Sequence, residues 1–434
     1  MKLEKYSFGI GDRFGAEGTA QLRAFLMAME DGVEIVPVWN KSNREHTIIG
    51  TVPHDTRREA DEAVRECGWN LSYYVDADHI GLATVDRFID SGDFFTIDVA
   101  DYIGKPADSE RISKFLESMK RFKGKLEIPG IDAPFEITDD LLAGVARKYL
   151  FAIQEAGEVC RVIAAKKGDD GFIPEVSVDE AERPQTPAEL FFILAAAAAE
   201  RIPLQTVAPK FTGAFLKGVD YVGDVDQFTK EFQDDIAVVA HAVDVFDLPA
   251  NLKLSVHSGS DKFSLYPRIH NVLKKTGAGL HVKTAGTTWL EELIGLASAG
   301  GEGLNIAREI YADAYKRYDE LVKPYATVVQ IDRERLPDPV EVHSWSSEQF
   351  ADAVRHDQSC DGFNPNVRQL VHVGYKVAAE MGGRFKRLLA ECRSEIEANV
   401  TLNLYGRHIK PIFLEGGGKG VTIDRKKLAA TPRI

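Results

Sequence analysis

Short apolar runs with alternate polar positions recur along the chain, and most are followed by a longer stretch in which apolar residues return at helical spacing. Eight of the short runs read as strands: SFGIGDR from Ser7, VEIVPVWN, SYYVDAD, FFTIDVAD, IPEVSVDE, PLQTVAPK, LKLSVHS and GLHVKTA. Strands that alternate with amphipathic helices predict an α/β chain with a parallel sheet and helical crossovers. Eight strands are the number that closes a (β/α)8 TIM-type barrel. Local signals fix several helices. Thr186-Pro187-Ala188-Glu189 supplies an N-cap, a proline at the first helical position and a capping-box glutamate ahead of LFFILAAAAAERI. Gly277 suits the end of a helix over 265–276, and helices over 16–30 and 55–67 fill the first two crossovers.

Two segments exceed this compact pattern. About 70 residues separate the fourth and fifth strands, too many for a structureless loop, and predict an insertion around 102–170 above the barrel. Beyond the eighth strand the pattern turns helical with no further strand. Residues 1–290 therefore read as a catalytic barrel and residues 291–415 as a C-terminal helical region packed on it. Three consecutive glycines from Gly416 and little apolar periodicity predict a flexible tail over 416–434.

Composition narrows the partners. Lys and Arg number 53 against 67 Asp and Glu, a net charge of −14, so no positive field exists to attract nucleic acid or an anionic membrane. No apolar run reaches the roughly 18 residues that span a bilayer, and the first residues lack the apolar core of a signal peptide. Cys67, Cys160, Cys360 and Cys392 form no CxxC pair, which predicts reduced, buried thiols in a cytoplasmic protein. A homo-oligomer is compatible with this reading.

The candidate chemistry lies at the strand ends. Alternate side chains of a strand face opposite sides. Placing Val75 and Ala77, Phe95 and Ile97, Val176 and Val178, Leu254 and Val256, and Leu280 and Val282 toward the helices leaves an inner set. That set is Asp76, Asp78, Thr96, Asp98, Glu175, Ser177, Asp179, Ser255, His257, His281 and Lys283. A purely structural barrel fills its lumen with aliphatic layers, and buried charges cost desolvation unless paired. The polar ring therefore reads as an active site.

Asp179, His257 and His281, on the fifth, seventh and eighth strands, match a divalent-metal ligand set suited to Zn, Mn, Fe, Co or Ni. The competing reading makes each histidine a satisfied core residue or a base. Whether Glu175, Asp179 or Glu180 would ligate stays open. Asp76-Ala77-Asp78-His79 also has ligand-like density, but the parity of His79 points it away from the lumen. Arg13, Lys41, Arg44, Lys210 and Lys262 follow strands and gather cations at one mouth, which suits a small anionic substrate such as a sugar acid. Ser260 and Asp261, in the loop HSGSDKF, would add contacts to a hydroxyl-rich ligand. Among the C-terminal helices His343, His356, Asp357 and His372 stand out, with His372 the candidate substrate contact from a lid. No phosphate loop or dinucleotide fingerprint follows a strand in the right place.

FGIGDRFG, EIVPVWNKSNREH, YVDADHIGL, FFTIDVADYIG, LSVHSGSDKFSLYP, HVKTAGTTWLEE and RQLVHVGYKVAAEMG together resemble the tagaturonate epimerase family, from the N-terminus to about residue 385. The resemblance implies a metal-dependent barrel enzyme that interconverts D-tagaturonate and D-fructuronate in hexuronate breakdown. Relatives that act on tagatose and fructose make a ketohexose 4-epimerase the alternative. A metal-dependent sugar-acid aldolase or isomerase would use the same residues, and a non-catalytic sugar-acid binding protein is the reading from another class. The two uronates differ at C4 while the ketone is at C2, so simple enolisation cannot invert the centre. Retro-aldol cleavage of C3–C4 and an enediol route through a C3 carbonyl both remain. In either, Asp78 or Asp98 would be the general acid/base and Lys283 would stabilise an oxyanion. Arg13, Lys41, Lys210 and Lys262 would hold the C6 carboxylate, with Asp76 contacting substrate.

Overall fold

A computed structural model of the chain describes residues 1–258, 261–284 and 286–414. The substrate contact expected at Ser260 and the tail expected over 416–434 lie outside the described residues. All eight expected strands form: β1 (Tyr6–Gly11), β2 (Val36–Ser42), β3 (Tyr74–Ile80), β4 (Phe94–Asp98), β5 (Ile173–Ser177), β6 (Thr206–Ala208), β7 (Lys253–His257) and β8 (Leu280–Thr284). Every neighbouring pair is parallel, and the order β1-β8-β7-β6-β5-β4-β3-β2 closes the sheet into a barrel. The fold is the (β/α)8 TIM type.

The cap signals act as their chemistry requires. Thr186 and Glu189 form a reciprocal capping box at the start of helix Pro187–Ala199. Gly277 ends helix Tyr266–Thr276 in the left-handed region at φ 69°, open to glycine without strain. The long stretch between β4 and β5 holds a short helix, Ser109–Met119, a two-stranded antiparallel ladder and a 29-residue helix, Asp139–Lys167. The buried face of that long helix (Leu142, Val145, Tyr149, Ile153, Ile163) shares the main core with Phe95 and Phe172.

Helices from Thr287–Ala299 onward build a second core around Trp289, Leu293, Ile310, Leu370 and Phe385. The last of them returns to the barrel: Ile409, Ile412 and Phe413 join the cluster of Phe8 and Phe25. Phe8 and Phe413 meet edge to face at 6.4 Å. No helix among the described residues is long and apolar enough to cross a membrane. The cysteines are free as expected, but only Cys160 is buried; Cys67, Cys360 and Cys392 are half-exposed.

Directly after β1 the chain buries acids together. Asp12 Oδ1 accepts from the Phe14 and Gly15 amides at 3.1 and 2.8 Å, and Oδ2 accepts from Glu17 N at 2.5 Å. Burial, then the charges of Asp12 and Glu397, push Glu17 up to about 8. Burial, then Asp12 and Glu17, raise Glu292 well above its ordinary value. An acid whose pKa is higher folded than unfolded favours the fold while protonated, and that stability disappears as pH rises through the folded pKa. Glu17→Gln is therefore expected to raise the melting temperature at about pH 8–9 and leave it nearly unchanged at about pH 4, read by scanning calorimetry. Equal shifts at both pH values would contradict the assignment.

Candidate active site

One lysine organises the lumen. Lys283 on β8 is 3% exposed, and its Nζ lies 2.7 Å from Asp76 Oδ2, 2.9 Å from Asp78 Oδ1 and 3.4 Å from Glu175 Oε1. It also donates to the Thr96 hydroxyl. The side chain can cross the barrel because its β1 neighbour is Gly9: a Cβ there would come within 3.1 Å of Lys283 Cγ and 2.8 Å of Asn40 Nδ2. Burial alone would raise all three carboxylic acids. Against it, the Lys283 ammonium holds Glu175 well below the usual range, aided by His257, and Lys283 with His79 does the same for Asp78. Asp76, also facing the charges of Asp78 and Glu175, is pushed up to about 6, burial outweighing Lys283.

Above this layer three ligand-capable side chains converge. One donor atom each from His79, Asp179 and His257 lies within 4.8 Å of the others, the only such group among the described residues. His257 Nδ1 is 3.1 Å from Asp179 Oδ2, and His79 Nε2 is 3.8 Å from Asp179 Oδ1. Each imidazole is fixed from its far side: His79 Nδ1 donates to Asp78 Oδ1 at 2.7 Å, and His257 Nε2 donates to Glu175 Oε1 at 2.8 Å. Asp179 in turn accepts from the Ser177 hydroxyl. Burial opposes charging of both rings, but Asp179 and Glu175 raise His257 to about 9, and Asp78 and Asp179 raise His79 well above its ordinary value. Two imidazoles and a carboxylate, with a carboxylate behind each imidazole, fit a borderline divalent cation, which would displace the ring protons.

His79 enters this group through a β-bulge. The β3–β4 pairing runs Asp76↔Phe94 and Ala77↔Phe95 but then Ile80↔Ile97, so β3 carries one extra residue, and His79 sits at φ 54°. The bulge reverses parity, and Asp78 and His79 both reach the site. His281 corrects the expectation in the opposite sense. It faces the lumen, but the register pairs Lys283 with His257 and His281 with Ser255. His281 therefore sits two residues, roughly 6.6 Å, lower. There Nδ1 meets Ser7 Oγ at 2.9 Å, the ring lies 5.0 Å from that of Phe94, and burial lowers it to about 3. It is not a member of the ligand group.

Other expected site residues divide. Asp98 is half-buried at the rim; Oδ1 accepts from Ala100 N at 2.9 Å, and Oδ2 makes no hydrogen bond among the described residues. Burial raises its pKa, although His79 lowers it. Lys283 does not suit the role of oxyanion donor, since its N–H bonds are already directed at Asp76, Asp78 and Thr96. Asp76 likewise faces Thr96 and Lys283 rather than the open mouth. Lys41 braces Arg13, donating to its carbonyl at 2.7 Å. Lys210 is half-buried and its side chain has no ion pair among the described residues.

Asp261, expected at the substrate, is fully buried: Oδ2 accepts from Arg368 Nη2 at 2.6 Å and His356 Nδ1 at 3.1 Å, and Oδ1 lies 3.0 Å from His408 Nε2. Lys262 donates to the carbonyls of Leu216 and Val219 at 2.9 and 2.8 Å, so it supports the loop carrying Lys217 rather than standing at the mouth. Asp261 turns inward, where it is the buried counter-charge of the Arg368 guanidinium. His343 and Asp357 are exposed, whereas His372 is fully buried beside Arg13. Lys217 and Arg368 carry no sequence signal that separates them from other basic residues.

A family model described as tagaturonate epimerase matches residues 1–399. The chain is 30% identical over 385 residues to the tagaturonate/fructuronate epimerase of Thermotoga maritima, covering 85% of this chain and 72% of the relative. Among solved structures, a glycerol complex of the fructuronate-tagaturonate epimerase UxaE from Cohnella laeviribosi superposes with a TM-score of 0.77 at 23% identity, covering 94% of this chain and 82% of the other. Its native form gives 0.74 over the same shares. At that identity the likeness carries the fold.

Replacing Lys283 with Met would leave Asp76, Asp78 and Glu175 without their shared cation. The expected cost is about 3–5 kcal/mol of stability, read from denaturant unfolding. A loss below about 1 kcal/mol would show that the carboxylates do not depend on it.

Proposed function

As the chain belongs to the tagaturonate epimerase family and is an isomerase, we propose that it interconverts D-tagaturonate and D-fructuronate at C4 with a divalent cation held by His79, Asp179 and His257. The observation that carries the metal reading is the bulge at His79, which costs the regular β3–β4 pairing and places a third ligand atom against Asp179 and His257. A bound divalent cation supplies Lewis acidity toward the oxygens of the ketose.

The protein's own groups supply the rest. Asp78 and Glu175 fix the orientation of the two imidazoles from behind. Lys283 keeps those carboxylates ionised although they are buried. Asp98 is the general acid/base, because it stands half-buried at the rim and its Oδ2 makes no hydrogen bond among the described residues. In the retro-aldol route Asp98 takes the proton of the C4 hydroxyl as C3–C4 breaks and returns it after the aldehyde has turned its other face. In the enediol route it moves a carbon-bound proton instead. Solvent deuterium separates them: incorporation at carbon supports the enediol, and epimerisation without it supports the retro-aldol.

Chelation of the purified enzyme is expected to abolish conversion of tagaturonate, and added divalent metal to restore it. Elemental analysis supplies an independent reading. His79→Ala is expected to lower metal affinity by at least about tenfold, whereas His281→Asn keeps the metal content of the parent. Full turnover after chelation, or metal lost only with His281, would overturn the ligand set. Asp98→Asn is expected to reduce kcat by about 100- to 10,000-fold with metal retained, measured by chromatography of the two uronates. Three-carbon products would indicate an aldolase, and binding without turnover a sugar-acid binding protein.

A further inference from the structure

A second cluster of buried polar groups lies at the start of helix Thr287–Ala299, the helix after β8. Gly286 is the N-cap of this 13-residue helix, at φ 84°, with no side-chain cap and no acidic residue in the first turn. The first amides therefore have no side-chain acceptor among the described residues, and the helix end carries a partial positive charge. A Cβ at Gly286 would come within 2.6 Å of His372 Nε2 and 2.8 Å of Arg13 Nη2, so the glycine lets both side chains close against the helix start.

His372 is 0% exposed, and neither ring nitrogen has a hydrogen-bond partner among the described residues. The Thr287 hydroxyl is also buried without a partner among the described residues. Arg13 is held on three sides. Nε donates to Glu45 at 3.1 Å, Nη1 to the His372 carbonyl at 3.0 Å, and the Tyr375 ring stacks at 3.8 Å. Nη2 makes no hydrogen bond among the described residues. Buried donors without acceptors are costly, and here a cation and an imidazole close on Gly286, the residue before Thr287 and the start of the helix. Burial, followed by the charges of Arg13, Lys217, Arg368 and Lys262, keeps the His372 ring neutral in a cationic setting. An anion is the ligand that such a set lacks.

We propose that Arg13, His372, Thr287 and the start of this helix bind the terminal carboxylate of a hexuronate, and that this pocket separates uronates from neutral ketohexoses. The inference rests on the epimerase reading above for its substrate. Gly286 follows Lys283 by three residues, a span of at most about 10 Å, which puts the start of this helix at the same end of the barrel as the polar strand ends. The device is selective because a neutral hydroxymethyl group leaves the guanidinium edge without its charged partner.

Two variants, His372→Leu and the near-isosteric Thr287→Val, are compared with the parent on D-tagaturonate and D-tagatose. Each is expected to lower the ratio of kcat/KM for the uronate over the ketose by at least about tenfold. Calorimetric titration of the full-length protein with D-gluconate, and with neutral D-glucitol as control, reads the pocket without turnover. The parent is expected to bind gluconate, both variants at least about tenfold more weakly, and glucitol not to compete. If neither sugar is epimerised, the proposed reaction fails while the titration still decides the pocket. If gluconate does not bind the parent, or the variants keep both its affinity and the substrate ratio, the carboxylate assignment is overturned. Thr287→Val, which preserves shape, decides the matter should His372→Leu fail to fold.

Discussion

The ion cluster around Lys283 is the constraint on which the site depends. A barrel lumen offers little water, and three carboxylates there would repel one another and take up protons. One ammonium among Asp76, Asp78 and Glu175 prevents that for two of them. Those two are the groups that fix His79 and His257. The chain of dependence runs from a glycine on β1, which leaves room for the lysine, through the lysine and two acids, to two imidazoles and Asp179. Buried ion pairs are weak evidence for stability, and here the return is orientation.

Much of this was legible from alternation alone. The inward parity of Asp76, Thr96, Glu175, Asp179, His257 and Lys283 follows from period-two patterning in a strand whose other face packs on helices, and every one of these residues faces the lumen. Height within the barrel was not legible. Strands in a closed sheet are staggered, and the stagger that lowers His281 to the level of Ser255 depends on pairing between segments distant in sequence. The bulge at His79 was hidden for a related reason. One inserted residue leaves no mark in composition, and it moves a side chain across the sheet.

The helices beyond β8 do more than cover the barrel. Helix Pro365–Val373 carries Arg368 and His372 one turn apart, so both face the same way. Arg368 anchors that helix to Asp261 and to the carbonyls of Gly218 and Val354, at 2.6, 2.5 and 2.6 Å. Its neighbour one turn on then reaches Gly286 and Arg13. Asp261 and Lys262, next to each other after β7, thus serve two supports. One holds the helix that bears His372, and the other holds the loop that bears Lys217. Residue type at the strand-end loops indicated polarity correctly, but whether a charge meets substrate or a buried partner is decided by elements far along the chain.

The most direct measurement is anomalous diffraction at the absorption edge of a divalent metal soaked into crystals of the full chain. A single strong peak bounded by His79, Asp179 and His257, with Asp78 and Glu175 still behind the two rings, is the expected result. A peak coordinated by His281, or one with His79 turned out of the lumen, would contradict the arrangement from which the chemistry has been derived.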